Sequence, residues 1–250
     1  MKVPPSHPRF RSLTVRETLV SDVEKGIVHL SGMIAHGRGE AFDYMLGERT
    51  LGPALAAIEA ASAALCIASK PVLSVNGNVA SLAPKEMIAL ARAANAKLEV
   101  NLFHRTEERV RAIEGRFRSL GAEILTSGDA RIPGIDHSRG VCSKDGIYSA
   151  DVVLVPLEDG DRTEALKRFG KFVITIDLNP LSRTARAANV TIVDELTRAV
   201  PLLAKRVGSL VGRRRTCERI LSTYDNEKVL ADMLKHVKRR LEELTHGGST

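Results

Sequence analysis

The residues able to do chemistry fall in short polar runs. In DLNPLSRT (177–184), Asp177 and Asn179 can hold ribose hydroxyls, Ser182 can cap a following helix, and Arg183 and Thr184 would face a phosphate. The same run also reads as an ordinary capped turn. In PLEDGDRT (156–163), Glu158, Asp159 and Asp161 bring three carboxylates within four residues. They suit an oxygen-ligated Mg²⁺, or equally helix capping by Asp159 or Asp161. Asn76-Gly77-Asn78 is either a tight turn or a place where backbone N–H groups meet an anion. In FHRT (103–106), His104 and Arg105 precede Thr106, a candidate N-cap, which makes an anion site there plausible but unspecific. HGRGE (36–40) sets Arg38 between two glycines, and we expect a helix start there, open to close approach by a phosphate. Arg16, Arg38, Arg105, Arg162 and Arg183 together form a candidate cluster for several phosphates.

These runs take their meaning from the elements between them. PVLSV (71–75), LEVNL (98–102), AEILT (122–126), VVLV (152–155), FVITI (172–176) and VTIV (190–193) are short apolar runs. Helix-like stretches at 84–96, 106–120, 162–169 and 182–188 separate most of them. That rhythm predicts a Rossmann-like, doubly wound parallel α/β sheet, with helical N-terminal and C-terminal extensions. The polar runs then follow the carboxyl ends of strands, where ligands bind in open parallel sheets. We divide the chain into a helical part (1–70), the α/β domain (71–205) and a C-terminal helical segment (206–250). The span 127–149 shows no clear element, and loops of that length are usually functional. The stripe Val229, Leu230, Met233, Leu234, Val237, Leu241 and Leu244 is expected to be core or a dimer seam.

The 250 residues carry a formal net charge of +7, which first suggests anionic partners. From Lys205 onward there are eleven basic and six acidic residues, so most of the excess is C-terminal. With no Trp, three Tyr and six Phe, the chain lacks the aromatics that accompany base stacking, and we expect no nucleic-acid partner. Cys66, Cys142 and Cys217 form no disulfide framework, which points to the cytoplasm. The Ala-rich stretch 51–68 contains Pro53 and Glu59 and reads as a buried helix, not a membrane span. GxGxxG is absent, which disfavours the alternative of an NAD(P)-dependent oxidoreductase on the same fold.

Longer blocks carry a specific resemblance. HPRFRSLTVRE (7–17), GMIAHGRGEAFDYMLGE (32–48), PVLSVNGN (71–78), LEVNLFHRTEER (98–109), ADVVLVPLEDGDRTEAL (150–166) and VITIDLNPLSRTAR (173–186) closely resemble archaeal 4-phosphopantoate–β-alanine ligases, also called phosphopantothenate synthetases. The likeness runs from about residue 5 to about residue 205. It implies a homodimeric, ATP-dependent ligase of coenzyme A biosynthesis. Such an enzyme joins 4-phosphopantoate to β-alanine through an acyl-adenylate, releasing AMP and diphosphate. The family's ATP positions carry over to Arg16, Arg38, Asp177, Leu178, Asn179, Arg183, Thr184, Glu195 and Leu196. Relatives often read Asp-Asn where this chain has Asp194-Glu195, so contact there is expected through the backbone. Arg38, His104 and Arg105 are the expected catalytic residues, and His36, Asn76, Gly77, Asn78 and Arg105 the substrate-binding ones. Mg²⁺ is expected on Glu158, Asp159 and Asp161.

Overall fold

The computed structural model describes residues 4–245. Helices α1 (Phe10–Glu24), α2 (Leu30–Leu46) and α3 (Gly52–Ile67) precede β1 (Pro71–Val75). After β1 come α4 (Gly77–Leu82), α5 (Pro84–Ala94), β2 (Lys97–Val100) and α6 (Glu107–Ser119). Short strands β3 (Ala130–Arg131) and β4 (Val141–Cys142) form an antiparallel pair. The chain continues through β5 (Val152–Leu154), α7 (Gly160–Arg168), β6 (Phe172–Ile176), α8 (Arg183–Ala187) and β7 (Val190–Ile192). It closes with α9 (Leu196–Leu210), α10 (Arg214–Thr223) and α11 (Asn226–Thr245).

The main sheet is parallel, in the order β2-β1-β5-β6-β7. Its strands are buried on both faces, so they read as continuous apolar runs. Within them the pleat still sorts side chains. Leu73, Leu154 and Ile174 join the core under α3, α5 and α9, while Val72, Val153 and Val173 join the opposite one. Ile132, Ile135, Cys142 and Ile147 from the 127–149 span help to fill that second core beside α7. The chain leaves β1 toward β2 on one side and reaches β5 on the other, so the topological switch lies between β1 and β5. That is where doubly wound sheets open a ligand crevice.

Three local expectations change. The run 122–126 forms a single parallel bridge, Glu99 with Leu125, where a strand was expected. Asn76-Gly77-Asn78 is not a free turn. The Asn76 side chain accepts the Val79 N–H at 3.1 Å and caps α4. HGRGE is not a helix start either. The α2 helix begins at Leu30, capped by the His29 side chain, and Arg38 sits in its middle. Of the three glycines in α2 only Gly32 is closely packed, and Gly37 faces open space. A Cβ on Gly32 would lie 2.5 Å from Asn78 Oδ1.

The C-terminal stripe is divided. Val229, Leu230 and Met233 are buried against the chain itself, while Leu234, Leu241 and Leu244 remain exposed. The buried α3 matches the expectation for 51–68, and no described helix is long and apolar enough to cross a membrane.

Candidate active site

At the switch point the segment after β5 is tied down from several sides. The Asn76 amide donates to the carbonyls of Pro156 and Leu157, at 2.9 and 3.3 Å. Leu157 sits at φ +53°, a left-handed conformation uncommon for a leucine. Above it α2 is drawn down onto α4 by the Asn78 amide, which donates to the Gly32 carbonyl at 2.8 Å. Two cavities flank this seam and share Ala35, Arg38, Asn78, Leu157 and Asp159 in their walls.

The first cavity, about 280 Å³, adds His36, Gly39, Asp177, Leu178, Asn179, Thr184, Glu195 and Leu196. Asp177 is held by Ser182 Oγ and by the Asn179 N–H at 2.9 Å. Burial pushes its carboxyl upward, against the pull of Ser182, Asn179 and Arg38. Thr184 Oγ1 donates to the Glu158 carbonyl at 2.7 Å, which joins the start of α8 to the switch segment. The Glu195 carboxylate caps α9, accepting from the N–H groups of Thr197 and Arg198 at 2.8 and 3.2 Å. The Glu195 side chain is thereby turned back onto α9. His36 is held below its usual range by burial, although Glu40 and Glu195 pull the other way.

The second cavity, about 270 Å³, adds His29, Gly32, Asn76, Gly77, Phe103, His104, Arg109 and Arg139. The His29 and His104 rings stack with centroids 3.8 Å apart. Burial, and repulsion from His104 and Arg109, hold His29 below its usual range. Arg109 reaches across to the carbonyls of Gly26 and Ile27, at 3.3 and 2.9 Å, and to that of His104. It thereby fixes the α1–α2 connection over α4.

Not every expected residue arrives at a cavity. Arg16 is engaged by Glu40, at 3.0 and 2.7 Å, and lines neither. Arg183 faces outward, paired with Asp161 at 2.7 Å and Glu164 at 3.1 Å. Arg105, expected to be catalytic and substrate-binding, turns its guanidinium to the carbonyls of Thr126 (2.8 Å) and Val100 (3.4 Å). It braces the loop after β2 and stands outside both cavities. Arg162 is completely buried, bonded to Glu158 and Ser74, with no face toward a phosphate.

The carboxylates expected to hold a metal are matched by arginines. Glu158 is buried between Arg162 and Arg139, the latter 3.1 Å away. Burial would raise its carboxyl, yet the two guanidiniums hold it below the usual range. Asp159 pairs with Arg139 at 3.2 Å, and Asp161 with Arg183. A divalent cation at Glu158 would stand beside two guanidiniums, so this set does not fit Mg²⁺. Among the described residues no group of three His, Cys, Asp or Glu side chains is arranged to hold a metal ion.

Arg109, Arg139 and His29 line the second cavity and were not singled out from sequence. Arg109 lies within LEVNLFHRTEER, four residues after Arg105 of the expected His104-Arg105 pair. Arg139 lies in the 127–149 span, whose length was itself the signal.

Comparison with known proteins agrees with the resemblance. A family model described as phosphopantothenate/pantothenate synthetase matches residues 53–240. A protein of Thermococcus onnurineus is 56% identical over 252 residues, covering 99% of this chain and 97% of its own length. One from Thermococcus kodakarensis is 54% identical over the same shares. One from Methanosarcina mazei is 47% identical over 97% of this chain and 96% of its own length. All three are named 4-phosphopantoate–β-alanine ligase.

Proposed function

We propose that this chain, which belongs to the phosphopantothenate/pantothenate synthetase family, is a ligase that joins 4-phosphopantoate to β-alanine with cleavage of ATP to AMP and diphosphate. The observation that carries this reading is the pair of cavities meeting at one wall. A reaction between two anionic substrates needs two adjoining sites and a cation at the join. Arg38 lines both cavities.

In this reading ATP occupies the first cavity. Its ribose hydroxyls meet Asp177 and Asn179, its base lies against the backbone of Glu195-Leu196, and its phosphates turn toward Arg38. The phosphorylated acid occupies the second cavity, with its phosphate toward Arg139 and Arg109. The acid's carboxylate oxygen attacks the α-phosphorus, an O–P bond forms, and diphosphate leaves. Two anions approach in that step, and the Arg38 guanidinium offsets their repulsion where the cavities join. The nitrogen of β-alanine then attacks the acyl carbon and AMP leaves. We assign the amine proton to His104, on the wall of the second cavity. ATP binds magnesium through its own phosphates in solution, but the carboxylates beside the cavity are already matched by arginines.

Product analysis tests the reading. AMP and diphosphate should form only when ATP, 4-phosphopantoate and the protein are all present. ¹⁸O from the acid's carboxylate should appear in AMP, as an acyl-adenylate requires. Formation of ADP, or equal turnover with unphosphorylated pantoate, would overturn it. We also propose that the enzyme acts as a cytoplasmic homodimer, for which light scattering should return twice the chain mass. The exposed Leu234, Leu241 and Leu244 of α11 are the part of the expected seam left uncovered.

A further inference from the structure

The acidic run after β5 gains a different role from the one its composition suggests. The Glu158 side chain is 1% exposed and receives two arginines at once. Its Oε2 accepts Arg162 Nη1, and its Oε1 lies 3.1 Å from Arg139 Nη1 while accepting the Asp159 N–H at 2.9 Å. The two arginines differ in what else they touch. Arg162 is completely buried and lines neither cavity, and its Nε and Nη2 have no hydrogen-bond partner. Arg139 lines the second cavity. Its backbone belongs to the long 127–149 span, fixed from β2 by the Asn101 amide, which donates to the carbonyls of Arg139 and Val141 at 3.1 and 3.0 Å. Its side chain is held by carboxylates, Glu158 from beneath and Asp159 at 3.2 Å from the half-exposed rim.

Arg162 therefore has no ligand to meet, while Arg139, whose Nη1 also donates to the buried Asn101 Oδ1 at 3.4 Å, has Glu158 as its one buried counter-charge. A lone carboxylate buried here would tend to take up a proton and release Arg139, and a lone buried Arg162 would be an uncompensated charge. Together the pair is a neutral, fixed pedestal. Its carboxylate also belongs to the switch segment, because the Glu158 carbonyl accepts Thr184 Oγ1 from the wall of the first cavity.

We propose that Glu158, locked by Arg162, is a positioning residue that aims the Arg139 guanidinium into the second cavity, where it receives the phosphoryl group of the acid substrate. The inference rests on the reading of the two cavities given above. Glu158 borders the first cavity, but its side chain is 1% exposed, so its role runs through the orientation of one arginine.

The test uses the full-length protein and separates positioning from folding. Glu158→Gln alone strands the buried Arg162 and is expected to lower the melting temperature. The double variant Glu158→Gln/Arg162→Met removes both charges and should recover most of that loss. In it the KM for 4-phosphopantoate should stay raised at least tenfold, with the KM for ATP changed less than twofold. Arg139→Met keeps the Glu158–Arg162 pair and should raise the same KM at least as much. It also serves if the double variant does not fold. Equal rises in both KM values would mark a merely structural role and overturn the proposal. So would an unchanged or lowered KM for 4-phosphopantoate in either variant, since a purely electrostatic effect of losing Glu158 would tighten anion binding. A wild-type protein that makes no AMP from 4-phosphopantoate overturns the functional reading and this proposal together. An active wild type with unaffected variants overturns this proposal alone.

Discussion

Gly77 sits at the first turn of α4, in the polar run expected to approach a ligand, and the structure supplies a different constraint on it. A Cβ added there would lie 2.4 Å from the Ile27 carbonyl oxygen and 3.0 Å from Arg109 Nη2. The first of these is backbone and cannot rotate aside. Arg109 donates to that same carbonyl at 2.9 Å, so Gly77→Ala must displace either α4 or the α1–α2 connection with its arginine clamp. Overpacking of this kind costs about 1–3 kcal/mol. A lost hydrogen bond from a charged donor costs about 1.5–3 kcal/mol more. Alanine returns up to about 1 kcal/mol through helix propensity. The balance is a destabilisation of about 3 kcal/mol, within a factor of two. For a chain of this size that lowers Tm by roughly 6–12 °C.

Thermal unfolding followed by circular dichroism measures this directly, with Gly32→Ala as the internal comparison. There the Cβ meets Asn78 Oδ1 at 2.5 Å, the end of a side chain that can turn away, at the expense of its bond to the Gly32 carbonyl. The order of damage is therefore Gly77→Ala greater than Gly32→Ala. A Gly77→Ala protein melting within about 2 °C of wild type would refute the packing argument. The glycine would then be needed only for a ligand's approach to the backbone, and the defect would appear in KM alone.

Further outcomes follow from the charge pattern. Asp22 is buried and takes bonds from Arg116 at 2.5 and 2.7 Å; burial raises its carboxyl, but Arg116, Ser81 and Lys25 outweigh that and hold it low. A carboxyl lowered on folding contributes stability above its unfolded pKa, so Asp22→Asn should cost about 2–4 kcal/mol at neutral pH in denaturant melts. That gap should close as pH falls below about 4, and a gap independent of pH would contradict the assignment. Magnesium chloride without nucleotide should give no calorimetric binding signal, because the carboxylates of the switch segment are arginine-paired; saturable binding to the free protein would restore the metal site. Cys66 and Cys142 are pushed up to about 11 by burial, so iodoacetamide should label neither at neutral pH until denaturant is added, and rapid native labelling would refute their protonated state.

How much was legible in the sequence follows from the range of the interactions. β1 and β6 fall within the expected bounds, because a strand buried on both faces declares itself through its own residues. The two cavities lie after strand ends for the same local reason, since the sheet order makes those ends a crevice whatever side chains they carry. The start of α2 was hidden. Three glycines in eight residues argue against a helix by propensity, and only the closeness of Asn78, 46 positions away, explains Gly32. The 122–126 run looked like a strand by composition, but Leu125 meets the sheet only at its open edge beside β2.

The charged residues obey a harder rule. An arginine's position relative to a strand end is readable from sequence, but its availability depends on whether a carboxylate from elsewhere has already neutralised it. Arg183 is taken by Asp161 and Glu164 across the α7–α8 contact, Arg16 by Glu40 across α1 and α2, and Arg162 by Glu158 within α7's own approach. Arg38 lines both cavities without such a partner among the described residues, as its place in mid-helix between glycines allows. Arg139 reaches the second cavity although it is paired, because Glu158 approaches it from the protein side. Pairing alone therefore does not remove an arginine from a cavity wall: Arg139 keeps its place with Glu158 beneath it and Asp159 on the rim, whereas Arg16 and Arg183 stand outside both cavities. The distinction is one of three-dimensional placement, which neither net charge nor spacing along the chain records. It is also why an acidic triplet that resembles a magnesium site is matched by arginines, Glu158 and Asp159 by Arg139 and Asp161 by Arg183.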